Sequence, residues 1–556
     1  MICRTVLAIL IGCGFGYSSF AQSETPRGWH LLDPEANQFF GISLNKAYDF
    51  LATKNKKPQP VIVAVLDSGV DTTHEDLKKI LWRNPKEIPN NGIDDDNNGY
   101  IDDVYGWNFL GGKNGKSIKK AGDERARVYH RFKHLYLSNP IDTNQLSTKD
   151  KTQYQMWLKA AKELNFSQEE MMDLMFIEVT AKALKRHDKV LRQEMRTEEY
   201  TCEKLEKFEP TTKTAKDAKL GFLTVMKMLQ IDPDEKNTNA LKELEEYIDG
   251  KKIAFESKDI APPNYRQEIV GDNYFDFSDK FYGNNDVMGP GPTHGTHVSG
   301  IIGAQRNNSI GVDGVADQVK IMTLRIVPDG DEYDKDIALA IRYAVDHGAK
   351  IINMSFGKSF SPEKAWVDSA VKYAELKDVL IVHASGNDAE NLDSVENFPN
   401  PWLMPWKSYA KNYITVGASS DPSIGPSLAA DFSSYGKKNV DVFAPGVKIY
   451  STIPERNNYG NLKGTSMATP IVSGLAAILK SYYPHLSAVD LKSIIEQSVY
   501  VPSKEIKCIK PGPEQVAVSF SELSKTGGIV NAYNAVKLAQ EYKPITTSKP
   551  TIQSKK

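Results

Sequence analysis

The chain reads as an α/β protein with a mostly parallel central sheet flanked by helices, interrupted by an all-helical insertion. Three observations predict this. Short, continuously apolar, β-branched runs recur along the chain. Helical patterns lie between them. One long stretch rich in Lys, Glu, Met and Leu breaks the rhythm. Continuous apolar runs suit strands buried on both faces, and strands alternating with helices suit parallel pairing.

The elements follow in order. Arg4, an apolar run from Val6 to Gly12 and the small-residue site Ser19-Phe20-Ala21 form the pattern of a cleavable export signal over 1–21. The run is too short to span a bilayer, and no second stretch of spanning length follows. Leu10-Ile11-Gly12-Cys13 also resembles the lipobox of bacterial lipoproteins, which would put a lipid on Cys13. The protein is therefore expected to be exported, secreted or periplasmic, with an outer-membrane lipoprotein as the alternative. Residues 22–60 form a short N-terminal extension. Val61 to Leu66 (VIVAVL) is the first buried strand and ends in Asp67-Ser68-Gly69; Lys320 to Ile326, Lys350 to Ser355, Val379 to Ala384 and Tyr413 to Gly417 are similar runs. A helix from Tyr333 to Asp346 puts Ile337, Ala340, Ile341, Ala344 and Val345 on one face.

Residues 120–255 read as the helical insertion. Ser167 to Glu170 fits a capping box. Leu174, Ile177, Ala181, Leu184, Leu191 and Met195 then form an apolar stripe that Asp188 interrupts. Leu241, Leu244 and Ile248 mark a further helix ending before Asp249-Gly250. A surface module packed on the main domain and a partner-binding or autoregulatory module both fit this pattern. The main domain is thus discontinuous, 61–119 and 256–545, with a last helix through about Tyr542. The tail 546–556 is rich in Pro, Ser, Thr and Lys and expected to be disordered.

Charged residues make up 25% and hydrophobic residues 40%, with a formal net charge of −2. That balance gives no basis for a nucleic-acid or anionic-membrane partner. Cys3 and Cys13 fall within the signal. Cys202 and Cys508 remain, without CxxC or zinc spacing, and their pairing is open.

Three motifs carry the chemistry. Asp67 ends a buried strand, where α/β sheets place their sites. His294 opens His294-Gly295-Thr296-His297-Val298-Ser299-Gly300, whose small residues allow a closely packed helix; His297, one turn on, reads as a buried structural histidine. Ser466 lies in Gly464-Thr465-Ser466-Met467-Ala468-Thr469-Pro470 at a helix N-terminus, with Pro470 expected within the first turn. Ala468 stands where a nucleophile elbow needs glycine, which excludes the α/β-hydrolase arrangement.

In the chain order Asp, His, Ser, these motifs resemble the subtilisin-like serine peptidases, over about 60–110 and 285–545. The resemblance implies the three-layer subtilisin-like fold and a serine endopeptidase acting on polypeptide substrates. Ser466 would be the nucleophile, His294 the general base and Asp67 its orienting partner. Asn387, in Val382-His383-Ala384-Ser385-Gly386-Asn387-Asp388, would serve the oxyanion hole. Ser355-Phe356-Gly357 would pair with substrate backbone. Two other functions stay open: a non-catalytic peptide-binding homologue, and a maturation protease dedicated to one exported partner. The 22–60 extension is shorter than the inhibitory pro-domain many relatives carry, and the wide Asp-to-His gap departs from the family pattern.

Asn90 to Asp103 is dense in oxygen ligands. Asp94, Asp96, Asn98 and Asp102 fall at positions 1, 3, 5 and 9 of an EF-hand-like loop, but Tyr105 stands where the bidentate Glu belongs. A structural calcium site and a solvated loop of Asx turns are the two readings. Asp76 is a weaker calcium candidate. The triad chemistry itself requires no cofactor.

Overall fold

The computed structural model describes residues 25–137, 141–229, 231, 235–455 and 457–543. The signal and lipid-anchor readings at 1–21 and the tail 546–556 lie outside the described residues. The chain divides into a helical unit, Arg125–Pro262, and a sheet unit made of the segments before and after it.

Along the chain, α1 (Leu44–Thr53) precedes β1 (Val61–Asp67) and β2 (Gly106–Asn108). The insertion carries α2 (Glu124–Tyr136), α3 (Thr148–Glu163), α4 (Gln168–Met195), α5 (Cys202–Lys207), α6 (Lys213–Met228) and α7 (Asn237–Glu256). Then come α8 (Tyr265–Ile269), α9 (Thr293–Gly303), β3 (Val319–Arg325), α10 (Asp334–Asp346), β4 (Ile351–Met354), α11 (Lys364–Leu376) and β5 (Leu380–Ala384). A two-residue-stranded hairpin, β6 (Trp402–Leu403) and β7 (Ser408–Tyr409), leads to β8 (Tyr413–Ser419) and β9 (Val442–Pro445). The hairpin β10 (Ile449–Ile453) and β11 (Asn458–Leu462) precedes α12 (Thr465–Tyr482), α13 (Ala488–Gln497) and α14 (Ala532–Glu541).

The main sheet has seven strands in the order β2-β3-β1-β4-β5-β8-β9, and every neighbouring pair is parallel. Alternation along β1 shows how it is buried on both sides. Val63 and Val65 join the core shared with α1, α9, α12, α13 and α14, while Ala64 and Leu66 join the core shared with α10 and α11. This is the expected three-layer α/β architecture. Because β1 pairs with β3 on one side and β4 on the other, the strand order reverses there. The crevice beyond the carboxyl ends of β1 and β4 is where such sheets hold their sites.

The five strands read from sequence are present within a few residues. The edge strands β2 and β9 were not legible: one has three residues, and the other ends in Pro445. The extension before β1 is built into the core through buried Trp29, Ile42, Leu44 and Leu51, and Trp29 Nε1 donates to the Val447 carbonyl at 3.0 Å.

The helical unit has its own core of Ile177, Leu184, Leu191, Tyr200, Leu205, Phe222, Met226, Leu244 and Ile248. The Ser167 capping box opens α4. Asp188 does not break the stripe: its carboxylate lies buried, accepts hydrogen bonds from Tyr200 OH (2.9 Å) and Asn237 Nδ2 (2.7 Å), and pairs with Arg192 (2.8 Å). The helix marked by Leu241 does not end before Asp249-Gly250. It runs on to Glu256; a mid-helix glycine costs only about 1 kcal/mol, which burial of Ala240, Leu244 and Ile248 on that helix offsets. The composition boundaries of 120 and 255 therefore differ from those of the compact unit. Residues 120–124 stay with the sheet unit through Ala121 N–H to Asp329 O (2.9 Å) and Glu124 N–H to Asp331 Oδ2 (2.7 Å). Cys202 and Cys508 are buried free thiols, one in each unit.

Candidate active site

Asp67 is the last residue of β1 and is 1% exposed. The turn after it is braced by Arg325, at the end of β3, whose Nε donates to Ser68 O at 2.9 Å. Gly295 makes the next contact. A Cβ there would lie 2.2 Å from Gly69 O and 3.1 Å from the Asp67 Cβ, so only glycine lets α9 sit this close to the end of β1. The close approach brings His294 Nδ1 to 2.7 Å from Asp67 Oδ1. Nδ1 thus holds the proton shared with the carboxylate, and Nε2 is left for the cleft, where the side chain is 36% exposed. Burial alone would lower the His294 pKa, but the Asp67 charge and hydrogen bond outweigh it and raise the pKa above the ordinary 6.5.

His297, as read, is structural. It is fully buried, Nε2 is 3.1 Å from Gly460 O, and burial pushes its pKa down to about 3.

Ser466 is the second residue of α12. Its Oγ donates to Ser355 O at 2.8 Å; among the described residues no hydrogen bond links it to His294. Its backbone N–H, at a helix start with no side-chain cap, has no partner among the described residues. Asn387 lies beside it. The Asn387 Oδ1 accepts from Thr465 N–H (2.8 Å) and Thr465 Oγ1 (2.9 Å), which fixes the amide and turns Nδ2 free. Two donors therefore stand together at the N-terminus of a helix, where developing negative charge is stabilised.

Pro470 requires a correction. It is not in the first turn but the sixth residue of α12. There its missing N–H leaves the Ser466 carbonyl without the usual partner four residues on. Ser355 Oγ supplies the replacement, donating to Ser466 O at 2.9 Å.

Ser355, Phe356 and Gly357 leave the end of β4. Phe356 O accepts from His383 Nε2 at 2.7 Å, and Gly357 is exposed. The structure therefore brings Asp67, His294, Ser466, Asn387 and Ser355–Gly357 to one end of the sheet. Lys358, which follows them, was missed by sequence reasoning. It is buried, with Nζ 2.9 Å from Glu124 Oε2 and 2.8 Å from Asp334 Oδ1. Nothing in a lone Lys signals such a contact.

The acidic loop is arranged differently from the EF-hand register. Asp94 and Asp96 converge with Glu87. Asp102 instead accepts Asn91 N–H (3.1 Å) and Gly92 N–H (2.9 Å). Asn98 Oδ1 accepts Tyr100 N–H (2.7 Å), and Asn98 Nδ2 donates to Asp103 (2.9 Å). Asp76 is buried and already satisfied by Val312 N–H (3.1 Å), Tyr459 OH (3.1 Å) and Asn308 Nδ2.

The subtilase family model matches residues 59–528. Thermitase of Thermoactinomyces vulgaris is 36% identical over 252 residues, 45% of this chain and 81% of that protein. The thermophilic serine proteinase of Bacillus sp. (strain AK1) is 35% identical over 268 residues, 47% of this chain and 55% of the relative. The cell wall-associated protease of Bacillus subtilis (strain 168) is 34% identical over 266 residues, 47% of this chain and 27% of the relative. The match spans less than two thirds of the last two relatives. Matched across most of its length, and with its sheet unit folded as a parallel α/β layer structure, the chain belongs to the subtilase family of S8 peptidases.

Proposed function

We propose that the protein is an exported serine endopeptidase that cleaves polypeptides through an acyl-enzyme, with Asp67, His294 and Ser466 as its triad. Rotation of the Ser466 side chain would exchange the Ser355 carbonyl for His294 Nε2. His294 then takes the hydroxyl proton as Oγ attacks the scissile carbonyl, and returns it to the leaving amine. Asp67 keeps the proton of the neutral ring on Nδ1 and stabilises the imidazolium. The developing oxyanion accepts from Asn387 Nδ2 and the Ser466 N–H. Water repeats the cycle on the ester. Substrate lies extended along Ser355–Gly357, adding a strand by backbone pairing.

The observation that carries this reading is the 2.7 Å bond between His294 Nδ1 and Asp67 Oδ1, which leaves Nε2 facing the cleft. The three relatives support it by name as a protease, a proteinase and thermitase. Export rests on residues 1–21 and on a relative whose name places it at the cell wall. A serine-directed fluorophosphonate is expected to label the protein, and Ser466→Ala to abolish labelling with the melting transition retained. Equal labelling of the variant would refute the assignment.

A further inference from the structure

We infer that α4 of the helical unit pairs antiparallel with α4 of a second copy of this chain, along an exposed apolar stripe. Met172, Met175, Phe176 and Val179 follow one another at the i, i+3, i+4, i+7 spacing that puts them on one face of a helix. All four are exposed, at 69%, 67%, 51% and 63%. Ala183, half-buried, continues the stripe by one step. The opposite face is already used: Ile177, Ala181, Leu184 and Leu191 lie in the core of the unit. A helix on the surface of a soluble unit needs one apolar face, and α4 carries a second that is contiguous and uncovered.

Charge decides what covers it. From Gln168 to Val179 the helix carries Glu169, Glu170, Asp173 and Glu178 and no basic residue. From Thr180 to Arg192 it carries Lys182, Lys185, Arg186, Lys189 and Arg192, with one acid, the buried Asp188. The helix dipole favours acids in the first turn, but its effect fades within a turn, so it does not account for Lys182, Lys185 and Arg186 in mid-helix. An acidic half followed by a basic half is complementary to itself reversed. Two copies related by a twofold axis present each other with the same surface, which is the arrangement this pattern fits.

The spacing sets the register. Glu169, Met172, Phe176, Val179, Ala183 and Arg186 are separated by alternating steps of three and four, the spacing of a helix–helix seam. Laid antiparallel, this ladder meets itself. Phe176 packs on Val179 of the second copy, Met172 on its Ala183, and Glu169 faces its Arg186, each pair occurring twice. Met175 covers the side of the seam. Among the described residues neither Glu169 nor Arg186 forms an ion pair within the chain, and both are exposed. A parallel pair would instead set Glu169 against Glu169 and Arg186 against Arg186, which like-charge repulsion disfavours.

The test is sedimentation of the full chain over a concentration series, a readout that does not use peptidase activity. The wild type is expected to pass from one chain to two as concentration rises. Phe176→Asp places a charge in the middle of the seam on both copies and should weaken association at least about tenfold. Arg186→Glu and Glu169→Arg each set like charge against like at both ends of the seam, and each should weaken association when tested alone. Mixing these two variants should restore it, because every facing pair is then opposite in sign. The altered side chains are on the surface, so helical circular dichroism and the melting transition should be retained. A wild type that stays a single chain at every concentration would overturn the inference. So would a dimer indifferent to Phe176→Asp, or a mixture of the two charge variants that associates no better than either alone.

Discussion

Ser466 and Ser355 exchange two hydrogen bonds: Ser466 Oγ donates to Ser355 O at 2.8 Å, and Ser355 Oγ donates back to Ser466 O at 2.9 Å. The second bond exists because Pro470 cannot supply the helical one. Ser355→Ala should therefore strand a part-buried carbonyl and cost about 1–3 kcal/mol. Pro470→Ala in the same chain should recover part of that loss by restoring an N–H. Thermal midpoints of the single and double variants check it; no recovery in the double variant would mean that Pro470 is not the cause.

The pH dependence of peptidase turnover follows from His294. The general base works unprotonated, so kcat/KM is expected to rise with pH through a midpoint above 6.5, the ordinary histidine value. Asp67→Asn removes the charge that raises the pKa. It should move this limb to lower pH and cut turnover by about 10⁴-fold, since the ring loses its required tautomer. An unmoved limb in Asp67→Asn would show that the carboxylate does not set the pKa.

Asn387→Leu removes one of the two donors while leaving the helix start in place. Turnover should fall about 10²- to 10³-fold with KM little changed, a magnitude carried over from subtilisin, itself a member of this family. A change confined to KM would assign Asn387 to substrate binding alone.

Three of the buried histidines are expected to set the acid limit of the fold. Burial pushes the pKa of His30 and His297 to about 3 and that of His383 to about 4. Unfolded histidine binds its proton near 6.5, so below that pH the unfolded chain holds more protons. Each histidine then removes about 1.4 kcal/mol of stability per pH unit until its folded pKa is reached. His294 acts in the opposite sense: its raised pKa stabilises the fold below 6.5, and that contribution is lost as pH rises through it. The melting temperature of the sheet unit should fall steeply from pH 6 to pH 4.5. A flat profile there contradicts the prediction.

Much of the site was legible because each part is local. Strand-ending Asp67, helix-starting His294 and the Gly464–Pro470 turn each announce themselves in a few residues, and chain order joins them. What was hidden depends on distant partners. The α12 register was misjudged because nothing before Pro470 shows that a serine more than a hundred residues upstream replaces its hydrogen bond. Glu87 carries no signal in the sequence, and only folding lays it against Asp94 and Asp96. Lys358 has no local motif around it, yet it is buried between Glu124 and Asp334.

Lys358→Met should accordingly destabilise the sheet unit by about 3–5 kcal/mol, because it withdraws a buried positive charge from beside two buried carboxylates. Lys358 follows Gly357, so KM should also rise. Chemical denaturation and steady-state kinetics check both, and a stability unchanged within 1 kcal/mol of wild type would refute the claim.

The same lysine bears on how the two flanks of the insertion are held. Glu124, where the sheet unit gives way to the insertion, is held by Lys358, which also binds Asp334. Arg266, just after the chain returns, is locked to Asp336 (2.7 Å) and Asp272 (2.8 Å). Both anchors thus end on the first turn of α10, two residues apart. Residues on either side of Arg125–Pro262 are thus tied, directly or through Lys358, to one helical turn of the sheet unit.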